Sequence, residues 1–132
     1  MTDHTLDNIK HTYIAPSPIH GQGLFSEAFI QAGTRLAILD GQVIPWSLHR
    51  EIGFVDEWNA IAPGFILVRP YRTKYAFINH SREPNIAIER LSSISLALRT
   101  TRSIPKDQEL TLDYREEPLP EDYLAGHGAS FL

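Results

Sequence analysis

Phe77-Ile78-Asn79-His80-Ser81-Arg82-Glu83-Pro84-Asn85 sets a polar loop directly behind an apolar run, Tyr75-Ala76-Phe77-Ile78. The apolar run belongs in a core. A polar loop leaving a core must satisfy its own hydrogen-bonding groups, and such loops often form sites. Asn79 and Asn85 each bring a donor and an acceptor. Taken alone, the stretch reads equally well as an Asx-turn loop in which both asparagines serve neighbouring backbone.

Two further segments flank it. Upstream, Ile19-His20-Gly21-Gln22-Gly23-Leu24-Phe25 has two glycines around one residue, which lets backbone approach a ligand closely or take a positive φ. A plain tight turn explains it as well. With Ser26 and the later Asp40 it also imitates a dinucleotide-binding fingerprint. That imitation fails on context. Ala15-Pro16-Ser17-Pro18 would have to be the preceding central strand, where two prolines are hostile, and Ser26 stands where a third glycine is needed. Downstream, Glu109-Leu110-Thr111-Leu112-Asp113-Tyr114 follows a Pro105-Lys106-Asp107-Gln108 turn and reads as an alternating edge strand.

The rest of the chain fits one small domain. Its 132 residues suffice for a core without disulfide or metal support, and 42% hydrophobic with 21% charged residues is a globular composition. With no cysteine, a disulfide, thiolate zinc site, iron–sulfur cluster or cysteine nucleophile is excluded. The six histidines (His4, His11, His20, His49, His80 and His127) show no zinc-ligand spacing, so no metal is expected. A net charge of -4 argues against nucleic acid as a partner and permits a basic one. The polar start, Met1-Thr2-Asp3-His4, and the lack of a long apolar run lead to the expectation of an intracellular protein, nuclear or cytoplasmic, that is not in a membrane.

Nine prolines and eight glycines cut the sequence into short apolar runs. Thr12–Ile14, Gly23–Phe25, Arg35–Leu39, Phe65–Val68, Asn85–Leu91 and Ile94–Leu98 are predicted strands. The last two are predicted to form a hairpin through Ser92-Ser93. Trp46–Glu51 is predicted to be a helical turn or two, and Pro118–Asp122 to open a short C-terminal helix. The class is mostly β.

In this order, the three segments resemble the SET domain of protein lysine methyltransferases. His20–Phe25 is similar to its N-terminal glycine motif, Phe77–Ser81 with Pro84-Asn85 to its central motif, and Glu109–Thr111 with Asp113-Tyr114 to its C-terminal motif. The resemblance implies a β-clip fold of small curved sheets with few short helices, its central motif threaded under the C-terminal one as a pseudoknot. It implies a single domain over residues 1–132, with a core at about 12–115. The tail, 116–132, would cover the cofactor or the lysine channel.

The resemblance also implies S-adenosylmethionine as cofactor and methyl transfer to a lysine of a protein substrate with an accessible basic tail. Carried over residue by residue, Gly21, Gln22 and Gly23 would lie against the methionine part, and Asn79 and His80 would hold the amino-acid and adenine portions. Tyr114 would stand at the transfer point. Tyr71, Tyr75 and Phe77 are candidate channel walls, with a core role equally open to each. A lysine amine has a pKa of ~10.4, so exposing its lone pair at pH 7 costs about 4.6 kcal/mol. An apolar channel beside a sulfonium lowers that cost by desolvation and like-charge repulsion.

Departures from the family pattern matter. Many members carry a zinc-binding cysteine where this chain has Arg82, with three more in the tail; here all are absent together. Tyr123 or Phe131 could replace that flap over the cofactor, and so could a second subunit in a homodimer. Leu39 stands where a tyrosine is usual and supplies no hydroxyl. The insert between Gly41 and Phe65 is small for recognising a long peptide. Leu39 and this insert support a rival reading, a weak or inactive SET-fold module that binds a lysine-bearing tail. Asn79-His80 and Asp113-Tyr114 oppose it.

Overall fold

A computed structural model describes residues 5–52, 57–69, 72–119 and 121–125. Strand β1 (Thr12–Pro16) and strand β2 (Gln22–Ser26) form an antiparallel pair in which Pro16 faces Gln22. The connection turns at Gly21, whose φ of +46° suits glycine. Tyr13 and Phe25, opposite each other, stack with ring centroids 5.7 Å apart.

Next come β3 (Arg35–Leu39), β4 (Gln42–Pro45), helix α1 (Trp46–Ile52), β5 (Glu57–Ala62) and β6 (Phe65–Arg69). A 3₁₀ turn over Lys74–Phe77 leads into the two-residue strand β7 (Asn79–His80). It is followed by β8 (Ile86–Arg90), β9 (Leu96–Thr100), β10 (Thr111–Leu112), a 3₁₀ turn at Tyr114–Glu116 and helix α2 (Glu121–Ala125). The strands form four small sheets, β1-β2, β3-β9-β8, β4-β6-β5 and β10-β7. Mostly β with few short helices, this is the architecture expected of a SET domain.

Two expectations change. In the hairpin, Arg90 faces Leu96, so residues 91–95 form the turn, and Ile94 is 60% exposed rather than in a strand. The Ser95 carbonyl accepts from Leu91 N–H at 3.1 Å and Ser92 N–H at 3.2 Å, and these local bonds outweigh the β-propensity of Ile94. In the third segment, only Thr111-Leu112 is strand, and it is interior. Leu110 and Leu112 are fully buried, and Thr111 between them is also buried, because β2 covers one side and β7 the other.

Leu24, Ile78, Ile86, Leu98, Ile104, Leu110 and Leu112 form the centre of the core. Full burial of a leucine or isoleucine is worth about 1.5–3 kcal/mol. That burial, not strand propensity, holds strands as short as β7 and β10 in place. Among the described residues, no helix is long and apolar enough to cross a membrane.

Candidate functional site

Strands β7 and β10 run parallel, with Asn79 opposite Thr111 and His80 opposite Leu112. Asn85 ties the same two segments a second time. Its Nδ2 donates to the Glu109 carbonyl at 2.9 Å, and its Oδ1 accepts from the Thr111 N–H at 2.8 Å. Asn85 is thus a clamp between distant segments, and the Asx-turn reading of this asparagine falls. The Ser81 N–H donates to the Leu112 carbonyl at 3.0 Å, and Arg102 holds the loop's outer carbonyls at Glu83 and Pro84.

Asn79 also reaches outward. Its Nδ2 lies 2.8 Å from Glu109 Oε2 and 3.2 Å from each of Ser17 Oγ, His20 O and Gln22 O. The Ser17 hydroxyl lies 2.8 Å from both Glu109 oxygens. A side chain at Gly23 would overlap the Glu109 carboxylate, so this glycine makes room for an acid. The glycine segment, Asn79 and Glu109 are therefore one cluster. Gly21 and Gln22 are exposed, and a Cβ on Gly21 would meet nothing within 4 Å, so the outer side of the cluster is open to a ligand.

His80 lies across from Tyr114. Its Nδ1 accepts the Tyr114 N–H at 3.1 Å, which leaves the ring proton on Nε2. Burial lowers its pKa, with the nearby Asp113 carboxylate opposing, so the 3.7 Å approach to Asp113 is not an ion pair at neutral pH. Asp113 caps the turn that carries Tyr114, accepting from Arg115 N–H at 3.0 Å and from its guanidinium. Hydrogen bonding to Arg115 holds the Asp113 carboxyl below its ordinary range. The Tyr114 hydroxyl donates to the Ile78 carbonyl. Burial, then the neighbouring Glu117 and Tyr123, push its pKa well up, so the phenol stays protonated and cannot serve as a base.

Beside Tyr114 lies a cavity of about 280 Å³, walled by Trp58, Tyr75, Tyr114 and Tyr123, with Glu57 and Glu117 also lining it. Tyr123, on α2, meets Trp58 edge-on at 5.2 Å, and Trp46 packs behind at 5.1 Å from Trp58. Tyr75 therefore lines the cavity. Phe77 does not; it packs against the core, with the Arg72 guanidinium 5.6 Å from its ring centre. Tyr71 and Phe131 lie outside the described residues. Among the described residues, no group of three His, Asp or Glu side chains is placed to hold a metal ion.

Sequence reasoning missed Trp58, Asn59, Glu57 and Glu117. The insert between Gly41 and Phe65, short as it is, contributes β4, α1 and β5 and so one wall of the cavity. Glu57 pairs with Arg69 and accepts from the Thr73 N–H at 2.9 Å, while Arg69 also binds Asn59. Glu117 Oε1 accepts from Asn59 Nδ2 at 3.1 Å and Ala60 N–H at 3.0 Å. The one signal for Glu117 was its position three residues after Tyr114, at the end of a turn that folds it back.

A family model described as SET domain matches residues 21–115, which include the Gly21–Gly23 pair, the central segment and Tyr114. No curated protein matches the chain significantly. Proteins of this family are generally protein lysine methyltransferases, which gives the chain a methyltransferase-like function at that coarse level. With most of its length matched, the chain belongs to the SET-domain family.

Proposed function

We propose that the protein transfers a methyl group from S-adenosylmethionine to the side-chain amine of a lysine in a protein substrate. The observation that carries this reading is Tyr114. Its protonated phenol is anchored on the Ile78 carbonyl, between the cluster of Asn79, His80 and the glycine segment and the aromatic cavity. The open face at Gly21 and Gln22, with Gly23 buried behind it against Glu109 and with Asn79 and His80 beside it, would hold the methyl donor. Bound there, S-adenosylmethionine supplies an electrophilic methyl on a sulfonium.

In the transfer, the lysine nitrogen's lone pair makes the new bond to the methyl carbon. The carbon–sulfur bond breaks, and its electron pair stays on sulfur. Rate comes chiefly from lining up nitrogen, carbon and sulfur. The Tyr114 oxygen and the Ile78 carbonyl can hold the polarised methyl through C–H···O contacts. Tyr75 and Tyr123 exclude water from the amine, and the negative net charge suits a basic tail.

A second reading is a binding module without transfer, and Leu39 favours it. This residue is 1% exposed, inside the core, and offers nothing to a ligand. Incubation with methyl-labelled S-adenosylmethionine and a pool of basic lysine peptides separates the two. Incorporation that falls at least about a hundredfold in Tyr114→Phe supports transfer. Tight donor binding by calorimetry with no incorporation supports the module.

A further inference from the structure

Glu117 is an acid in the wall of the aromatic cavity, beside the phenol at the proposed transfer point. Its two oxygens differ. Oε1 is fully engaged by Asn59 Nδ2 and the Ala60 N–H, whereas the hydrogen bond to Oε2 is a long one, 3.5 Å from the Tyr75 hydroxyl. The other acid lining the cavity, Glu57, already has its partners. It pairs with Arg69 and takes hydrogen bonds from Thr73 on both oxygens. Arg69 is itself occupied by Glu57, Asn59 and the Asp40 carbonyl. A carboxylate with one under-used oxygen, ringed by Trp58, Tyr114 and Tyr123, suits a cation on an aliphatic stem.

We propose that Glu117 Oε2 receives the substrate's lysine ammonium in this cavity and takes its proton before transfer, a role that rests on the methyl-transfer reading above. In this step one N–H bond breaks, its pair remains on nitrogen, and an O–H bond forms on Glu117. Ammonium and carboxylate become amine and carboxylic acid, with no change in total charge. A low-dielectric cavity favours that neutral pair over the ion pair. After the methylated product leaves, the proton on Glu117 passes to water.

Burial pushes the Glu117 pKa up to about 7, while the hydrogen bonds from Asn59, Ala60 and Tyr75 and the charge of Arg69 hold it back. Tyr114 from its 3₁₀ turn, Tyr123 from α2 and Glu57 from β5 also face the cavity. The phenols of Tyr75, Tyr114 and Tyr123 all have raised pKa values and stay neutral in this range. A base with this pKa is ionised at mildly alkaline pH and still basic enough to accept a proton.

The test compares wild type with Glu117→Gln, which keeps an acceptor for Asn59 and Ala60. The readout is methyl incorporation into a synthetic basic peptide carrying a single lysine, from pH 6 to 10. For wild type, kcat should rise to a plateau above about pH 7. For Glu117→Gln it should fall about a hundredfold at pH 7, then climb steadily with pH as solvent deprotonates the amine. A peptide with aminoethylcysteine in place of lysine, a less basic amine, should recover much of the loss. If Glu117→Gln does not fold, the wild-type plateau and the response to the less basic peptide decide alone. Equal rates and parallel pH profiles for the two proteins overturn the role of Glu117 and leave the methyltransferase reading standing. Absence of any wild-type incorporation overturns both.

Discussion

Replacing Gly23 with alanine puts a methyl group where the Glu109 carboxylate sits. The far end of a free glutamate could swing aside at little cost. This one is tethered, by the Ser17 hydroxyl at 2.8 Å and by Asn79 Nδ2 at 2.8 Å. Hydrogen bonds to a charged group contribute about 1.5–3 kcal/mol each. Losing both, with water partly replacing them at this half-buried site, costs about 3 kcal/mol. For a domain of this size that is a drop in Tm of roughly 10 °C. Glu109→Ala removes the same bonds and should cost about as much alone. In the double variant the added methyl meets no carboxylate, so the total should stay near that of Glu109→Ala, a coupling of about 3 kcal/mol. Urea denaturation of all four proteins measures the cycle. A loss below about 1 kcal/mol for Gly23→Ala, or strictly additive losses in the double variant, refutes the reasoning.

Two further outcomes follow from the same geometry. Asn85→Ala leaves the Thr111 N–H and the Glu109 carbonyl without their buried partner and should lower stability by about 2–4 kcal/mol, read from the urea midpoint. Asn85→Asp keeps the acceptor but sets a carboxylate against that carbonyl, and should not rescue it. Glu117 makes stability depend on pH. Its carboxyl binds a proton more tightly folded, with a pKa of about 7, than at the ordinary 4.5. The contribution is therefore complete below pH 4.5 and lost as pH rises through about 7. That interval is worth roughly 3 kcal/mol, at 1.36 kcal/mol per pH unit. The difference in stability between wild type and Glu117→Gln should narrow or reverse across it; a constant difference counts against a proton held more tightly by Glu117 in the folded state.

The parts of the site legible in the sequence were those whose order along the chain resembles the family's three motifs. Asn79-His80, Asp113-Tyr114 and the pair Gly21 and Gly23 could be picked out only together, because their order resembles the family's motifs; singly each reads as a plain loop, strand end or turn. The partners that complete them could not. Glu109 looked like one letter of a strand, and only the three-dimensional path brings it under Gly23 and against Ser17 and Asn79. Trp58, Asn59 and Glu117 sit in segments with no motif, and what unites them is a cavity. The strands followed the same rule. Arg35–Leu39 was readable from its apolar run, whereas β7 and β10 are two residues long and exist because the core and Asn85 hold them.

The parallel pairing of β7 with β10 also governs when the protein can become competent during folding. Asn79 waits for a partner more than thirty positions downstream, and Ser17 for one 92 positions away. Closing loops of that length costs entropy before any contact repays it, and topologies rich in distant contacts reach the native state slowly. A chain emerging from the ribosome can form β1-β2 and the β8–β9 hairpin early, yet the residues around Tyr114 stay unassembled until the 109–114 segment arrives and closes over them.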